Sequence, residues 1–94
     1  MADIDARLAA IGERFAAQAA ETAAEIGVAL NREDRLELAR LAHSLAGRAG
    51  MFGFGAIGDA ARRVEEATDA GVSGQELADL TRDLLGHMEE LNRS

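Results

Sequence analysis

Two imidazoles, His43 and His87, are the groups in this 94-residue chain best suited to chemistry near neutral pH, since cysteine is absent. An imidazole can move protons, ligate a metal or attack an electrophile directly. His43 stands in an unusual setting, the run AHSLAGRAGMFGFG at residues 42–55, with glycines at 47, 50, 53 and 55. Inside a helix each of Gly47 and Gly50 costs about 1 kcal/mol relative to alanine. Either close packing or a need for bare surface has to offset that. His87 falls at the edge of an apolar helical stripe and reads as a surface residue.

Metal binding requires several ligands, and His87 has no ligand spacing to His43. Acid–base catalysis needs a substrate pocket and a second polar group, and no Ser or Cys nucleophile sits in a recognisable setting. A histidine acting as nucleophile for a reactant carried by another molecule stays open. So does a purely structural reading, in which a neighbouring helix packs closely on the glycines.

The elements that must position His43 are helices. Ala, Leu, Glu and Arg dominate, Pro and Trp are absent, only three Phe occur, and 48% of the chain is apolar. This is a helical composition with an aliphatic core. The first stripe, Leu8, Ile11, Phe15, Ala19, Thr22, Ile26 and Leu30, predicts a helix from Ala2 to about Leu30, with Gly12 and Gly27 as points for a bend or frayed end. Asn31 is the expected N-cap of a second helix from about Arg32 to Met51, with Glu33 and Asp34 in its first turn and Leu38, Leu41, Leu45, Ala49 and Phe52 on its core stripe. Phe52 and Phe54 flank a glycine turn and are expected to pin it to the core. A third helix reads from about Ala56 to Ala70 through Ile57, Ala61, Val64 and Thr68, and Gly71 stops it. Ser73 and Glu76 have capping-box spacing before a last helix through Leu77, Leu80, Leu84, Met88 and Leu91. Short connections make neighbours antiparallel, so the predicted fold is all-α, an antiparallel up-down four-helix bundle, forming one domain over residues 1–94.

On the second helix, Leu41, Leu45, Ala49 and Phe52 fall within about 60° of Leu38, whereas His43 lies about 140° away and faces solvent. Its helical neighbours are Leu36, Ala39, Arg40, Ala46, Gly47 and Gly50. Four of these have no side chain beyond a methyl group. The imidazole is thus expected on a flattened plate with Leu36 as an exposed apolar contact, a surface that another protein can approach.

The stretch AHSLAGRAGMFGFGAIGDAARRVEE resembles the signature of histidine phosphotransfer (HPt) domains of two-component phosphorelays. His43, Leu45, Gly47 and Gly53 fit the motif, with Ile57 and Val64 in the helix that follows, and GRAGMFGF is similar to the corresponding run of chemotaxis kinase phosphotransfer domains. The four-helix layout extends the likeness over nearly the whole chain. The resemblance implies that His43 takes a phosphoryl group on Nε2 and exchanges it with receiver-domain aspartates, and that Gly47 clears space for it. It also implies that Glu65, 22 positions after His43, bonds the other ring nitrogen. The lysine that the family usually has three residues after the histidine is Ala46 here. Arg40, with Arg62 or Arg63 from the third helix, is better placed than Arg48 to supply charge in its stead, although each is also an ordinary surface arginine.

The expected partners are response-regulator receiver domains and a histidine or hybrid kinase. A phosphocarrier has no cofactor of its own, magnesium coming from the partner receiver, and the transfer chemistry being the partner's argues against calling the chain an enzyme. The alternative is a catalytically silent module of the same fold that binds a kinase or receiver as inhibitor or scaffold. More distant are a homodimer that buries the glycine plate and a helical hydrolase. The net charge of −7 argues against a nucleic-acid partner and against anionic lipid. The start of the chain, MADIDARLAAIGERF, reads as neither signal peptide nor membrane span. A cytoplasmic monomer is expected.

Overall fold

The computed structural model describes the backbone of residues 2–93 and the side chains of residue 10 and residues 12–91. Four helices form: α1 (Ala2–Asn31), α2 (Arg35–Met51), α3 (Gly55–Ala70) and α4 (Gly74–Arg93). They close a ring in which α1 packs on α2 and α4, α2 on α3, and α3 on α4. Connections of three residues force each helix to run back along its predecessor. The expected up-down four-helix bundle is the fold, and no strand occurs among the described residues.

Periodicity makes the core. Phe15, Ala19 and Ile26 of α1, Leu38, Leu41, Leu45 and Ala49 of α2, Ile57, Ala61 and Val64 of α3, and Leu77, Leu84 and Met88 of α4 are all buried. Leu8 and Ile11, the first members of the predicted stripe, lie outside the residues whose side chains are described. α1 continues as one helix through Gly12 and Gly27. Thr81 is fully buried, its hydroxyl donating to the Leu77 carbonyl at 2.7 Å, so the helix itself satisfies the only polar atom of that side chain.

All three turns use one device. Glu33, Gly53 and Gly71 have φ of 57°, 82° and 68°. In each case the next N–H reaches back five residues: Asp34 to Ala29 at 2.9 Å, Phe54 to Ala49 at 2.8 Å and Val72 to Ala67 at 3.3 Å. The left-handed residue's own N–H donates three residues back, to Leu30, Gly50 and Thr68 respectively. This is the Schellman motif, which satisfies carbonyls that a helix end otherwise leaves open.

The first of these turns corrects the predicted boundary. Asn31 is the last residue of α1, not a cap of α2, and Glu33 forms the left-handed corner. Asp34 is the true N-cap: its carboxylate accepts the Glu37 N–H at 3.1 Å. An Asn-Arg-Glu-Asp run offers two capping side chains, and the one lying beyond the left-handed residue prevails. Ser73 caps α4 as expected, its Oγ accepting the Glu76 N–H at 3.1 Å. Phe52 is a second correction: it lies beyond the end of α2 and is 40% exposed. Phe15 nevertheless holds the turn from the other side, stacked on Phe54 with centroids 4.5 Å apart and edge-on to Phe52 at 5.8 Å.

α2 and α3 form the most intimate pair, for a reason found in small residues. At Gly58 an added Cβ would lie 3.6 Å from the Ala49 Cβ, 3.7 Å from the Ala46 carbonyl oxygen and 3.7 Å from the Gly50 nitrogen. A glycine facing alanines lets the two backbones approach. At the other end, the Arg35 guanidinium donates to the Val72 carbonyl at 2.7 Å and ties the start of α2 to the end of α3.

Candidate functional site

His43 stands in the middle of α2 on its outer face. Its side chain is 76% exposed, and its Nδ1 lies 2.6 Å from Oε2 of Glu65, whose side chain is 28% exposed. Glu65 belongs to α3, beside the seam with α2, and reaches the ring from a half-buried base. A carboxylate on Nδ1 makes that nitrogen the donor. The lone pair of a neutral ring then sits on Nε2, which points away from Glu65. An imidazole so held is a nucleophile with fixed direction.

Nothing stands over the glycines. An added Cβ at Gly47 or Gly50 would meet no atom within 4 Å. The alternative that a neighbouring helix packs over the glycines thus fails at Gly47, while at Gly50 and Ala46 α3 comes close to the backbone, through Gly58, and leaves the outward side open. Close helix approach in this protein occurs at Gly58, a residue that sequence reasoning passed over. Its signal was available: a small residue beside Ile57 on the same face as Ala61, where a larger side chain would ordinarily pack. The rest of the predicted surface is as open as the phase of α2 requires: Leu36 is 85% exposed, Arg40 and Gly50 are exposed, and Ala39 and Ala46 are half-buried. A surface cavity lined by Asp34, Leu38, Leu77 and Arg82 among others lies at the end of the bundle near the α1–α2 turn. His43 is not part of it and presents itself on a nearly flat surface.

The arginines divide among different partners. Arg40 is held by Glu37, with Nε 3.1 Å from both carboxylate oxygens and a further short contact from its terminal nitrogen to Oε1. Hydrogen bonding to Arg40 holds the Glu37 carboxyl below its usual range, and the same bond raises the Arg40 guanidinium further above its own. Arg48 turns towards α1, with contacts of 3.5 Å to the Gln18 Oε1 and 3.4 Å to the Thr22 Oγ1. That direction agrees with its exclusion on the helical wheel. Arg62 of α3 remains 64% exposed, and its nearest carboxylate, Asp59, is 3.9 Å away. His87 is paired with Asp83 on its own helix at 3.6 Å. Among the described residues, no group of three or more His, Asp or Glu side chains is placed to hold a metal ion, and no helix is long and apolar enough to cross a membrane.

The family model of the Hpt domain matches residues 11–93, all but the first ten residues and the last. No curated protein and no solved structure matches the chain.

Proposed function

The chain belongs to the Hpt domain family, the phosphotransfer domains of two-component signalling, and from that membership we propose that it is a phosphocarrier with His43 as its acceptor. One observation carries this reading: an exposed imidazole whose Nδ1 is held at 2.6 Å by Glu65, which leaves Nε2 free on an open face.

In the forward step the Nε2 lone pair attacks the phosphorus of a receiver's aspartyl phosphate. The N–P bond forms, the O–P bond breaks, and the aspartate leaves as a carboxylate with the bonding electrons. The ring becomes cationic while Nδ1–H stays bonded to Glu65, whose charge stabilises that product. In the return step an acceptor aspartate attacks the same phosphorus, and the N–P electrons go back to Nε2. Phosphoryl transfer depends chiefly on alignment and charge stabilisation, and the two halves come from different molecules. This chain contributes the oriented nucleophile and a surface that can be approached. The receiver contributes the aspartate and its magnesium ion. Gly47, one turn from His43, leaves room for the phosphoryl group and for the receiver, with Leu36, Ala39 and Gly50 forming the rest of the docking face. The protein acts as a monomer in the cytoplasm, between a histidine or hybrid kinase and its receivers.

The test is incubation with a panel of phosphorylated receiver domains and hybrid kinases, following label on this chain. An acid-labile, alkali-stable label on the wild type and none on His43→Gln is the expected result. Receivers that bind without labelling the wild type would instead identify a silent docking module.

A further inference from the structure

We infer that Arg62 of α3 is the cation that steadies the phosphoryl group on His43, reaching it from across the helix seam past the small side chain of Ala46. This rests on the phosphocarrier reading and names a further residue of the same site.

The pairing of α2 with α3 places it. Contacts along the seam run in descending order: Arg35 meets Val72, His43 meets Glu65, and Ala49 and Gly50 meet Gly58, together with the carbonyl of Ala46, which points one turn forward along α2. Position 46 therefore falls level with Arg62, as His43 falls level with Glu65. On α3, Arg62 lies about 60° round from Glu65 and one turn towards the helix start. Gly58 and Glu65 both face α2, and the buried Val64 lies on the opposite side of Glu65 from Arg62, so that 60° rotation puts Arg62 on the outer lip of the seam. It shares that lip with the imidazole. One helical turn is about 5.4 Å, a distance that an arginine side chain spans easily. Ala46 lies between them with only a methyl group, so the path is open.

The competing cations are committed elsewhere. Arg40 is bonded through both of its nearer nitrogens to Glu37. Arg48 faces α1. Arg63 lies about 160° round α3 from Glu65, away from the seam. Among the described residues Arg62 is paired with Asp59 alone, at 3.9 Å, beyond hydrogen-bond distance, so a dianionic phosphoryl group can draw it off. Its planar fork is suited to two phosphoryl oxygens at once.

The experiment uses phosphoramidate as a small phosphodonor, which removes receiver docking from the measurement. The His43 Nε2–P bond forms as the P–N bond of the donor breaks and ammonia leaves. The wild type, Arg62→Ala, Arg62→Lys, Ala46→Lys and the Arg62→Ala/Ala46→Lys double variant are compared for the rate of phosphohistidine formation and for its ³¹P chemical shift. Arg62→Ala is expected to slow formation about tenfold, as loss of a cation a few ångströms from the transferring group should, and to move the ³¹P resonance. Arg62→Lys should retain part of the rate. The lysine at position 46 should restore the rate and shift in the double variant while adding little to the wild type. Equal rates and shifts for the wild type and Arg62→Ala would overturn the assignment, as would an Ala46→Lys gain of the same size in both backgrounds. If the wild type takes no phosphoryl group from phosphoramidate or from any receiver, the carrier reading itself falls and Arg62 with it.

Discussion

At the scale of single residues, the site is a contrast between one side chain that is held and several that are missing. The hold is the Glu65 carboxylate on Nδ1 of His43. Removing it by Glu65→Ala leaves the ring free to rotate and to take the wrong tautomer, and should slow phosphoryl uptake about tenfold, the worth of one charge-assisted bond at a partly exposed site. Glu65→Gln, which keeps an acceptor without the charge, should recover part of the rate. Circular dichroism and the uptake time course together check this, since the helices should be unaffected. The missing side chains make the opposite prediction for stability. Gly47 has empty space above it, so Gly47→Ala should raise the melting temperature by about 4–8 °C through helix propensity alone. On the proposed docking face the same methyl group narrows the receiver's approach, and transfer from a phosphorylated receiver should fall as stability rises. The phase of a helix is enough to read His43 as exposed and Gly47 as lying on its face, whereas Glu65 is indicated by the family resemblance and not by helix phase. The choices made by arginine are not legible in this way. Arg40 goes to Glu37 and Arg48 to α1 because long side chains select partners a few ångströms apart, which a wheel does not resolve.

At the scale of elements, three turns with one geometry hold the four helices in register. Two are marked in the sequence by Gly53 and Gly71. The third is not, because a glutamate fills the left-handed position at residue 33. That is why the sequence pattern points to a start of α2 at Arg32 with Asn31 as its cap, whereas α2 begins at Arg35 with Asp34 as its cap. The side chain at 33 works against its backbone, at a cost of about 1 kcal/mol. Glu33→Gly should therefore stabilise the protein by up to about 1 kcal/mol in urea denaturation, less what the glycine loses in chain entropy. The α2–α3 pairing was equally hidden. Alternation and spacing identify the core stripe of α3, but they do not say that Gly58 is where the backbones close on one another, or that Arg35 fastens the far end to Val72. These two contacts fix the register that brings Glu65 opposite His43, so the site depends on elements some distance from its chemistry.

At the scale of the whole molecule, a chain of net charge −7 presents one face of α2 with little charge and little relief. The bundle keeps its apolar stripes inside and leaves Leu36 85% exposed beside the histidine. An isolated exposed leucine contributes almost nothing to folding, and Leu36→Asp should change stability by no more than about 0.5 kcal/mol. On a docking surface the same change buries a carboxylate against the partner, so affinity for a receiver, measured by titration calorimetry, should fall at least about tenfold. Four helices, their order and their buried faces follow from composition and period. The directions of the connecting turns and the identity of the close-packed pair follow from backbone conformation at a few positions, and only one of the three turns disguises it.

The most direct test of the account is to locate the phosphoryl group. Trypsin should release the peptide Leu41–Arg48, which contains both His43 and Ser44, from protein exposed to phosphorylated receivers. A phosphoryl group is expected on this peptide that is lost in acid, survives alkali and is absent from His43→Gln. An acid-stable phosphate on Ser44, or an unmodified peptide from protein that binds those receivers, would contradict the phosphocarrier reading.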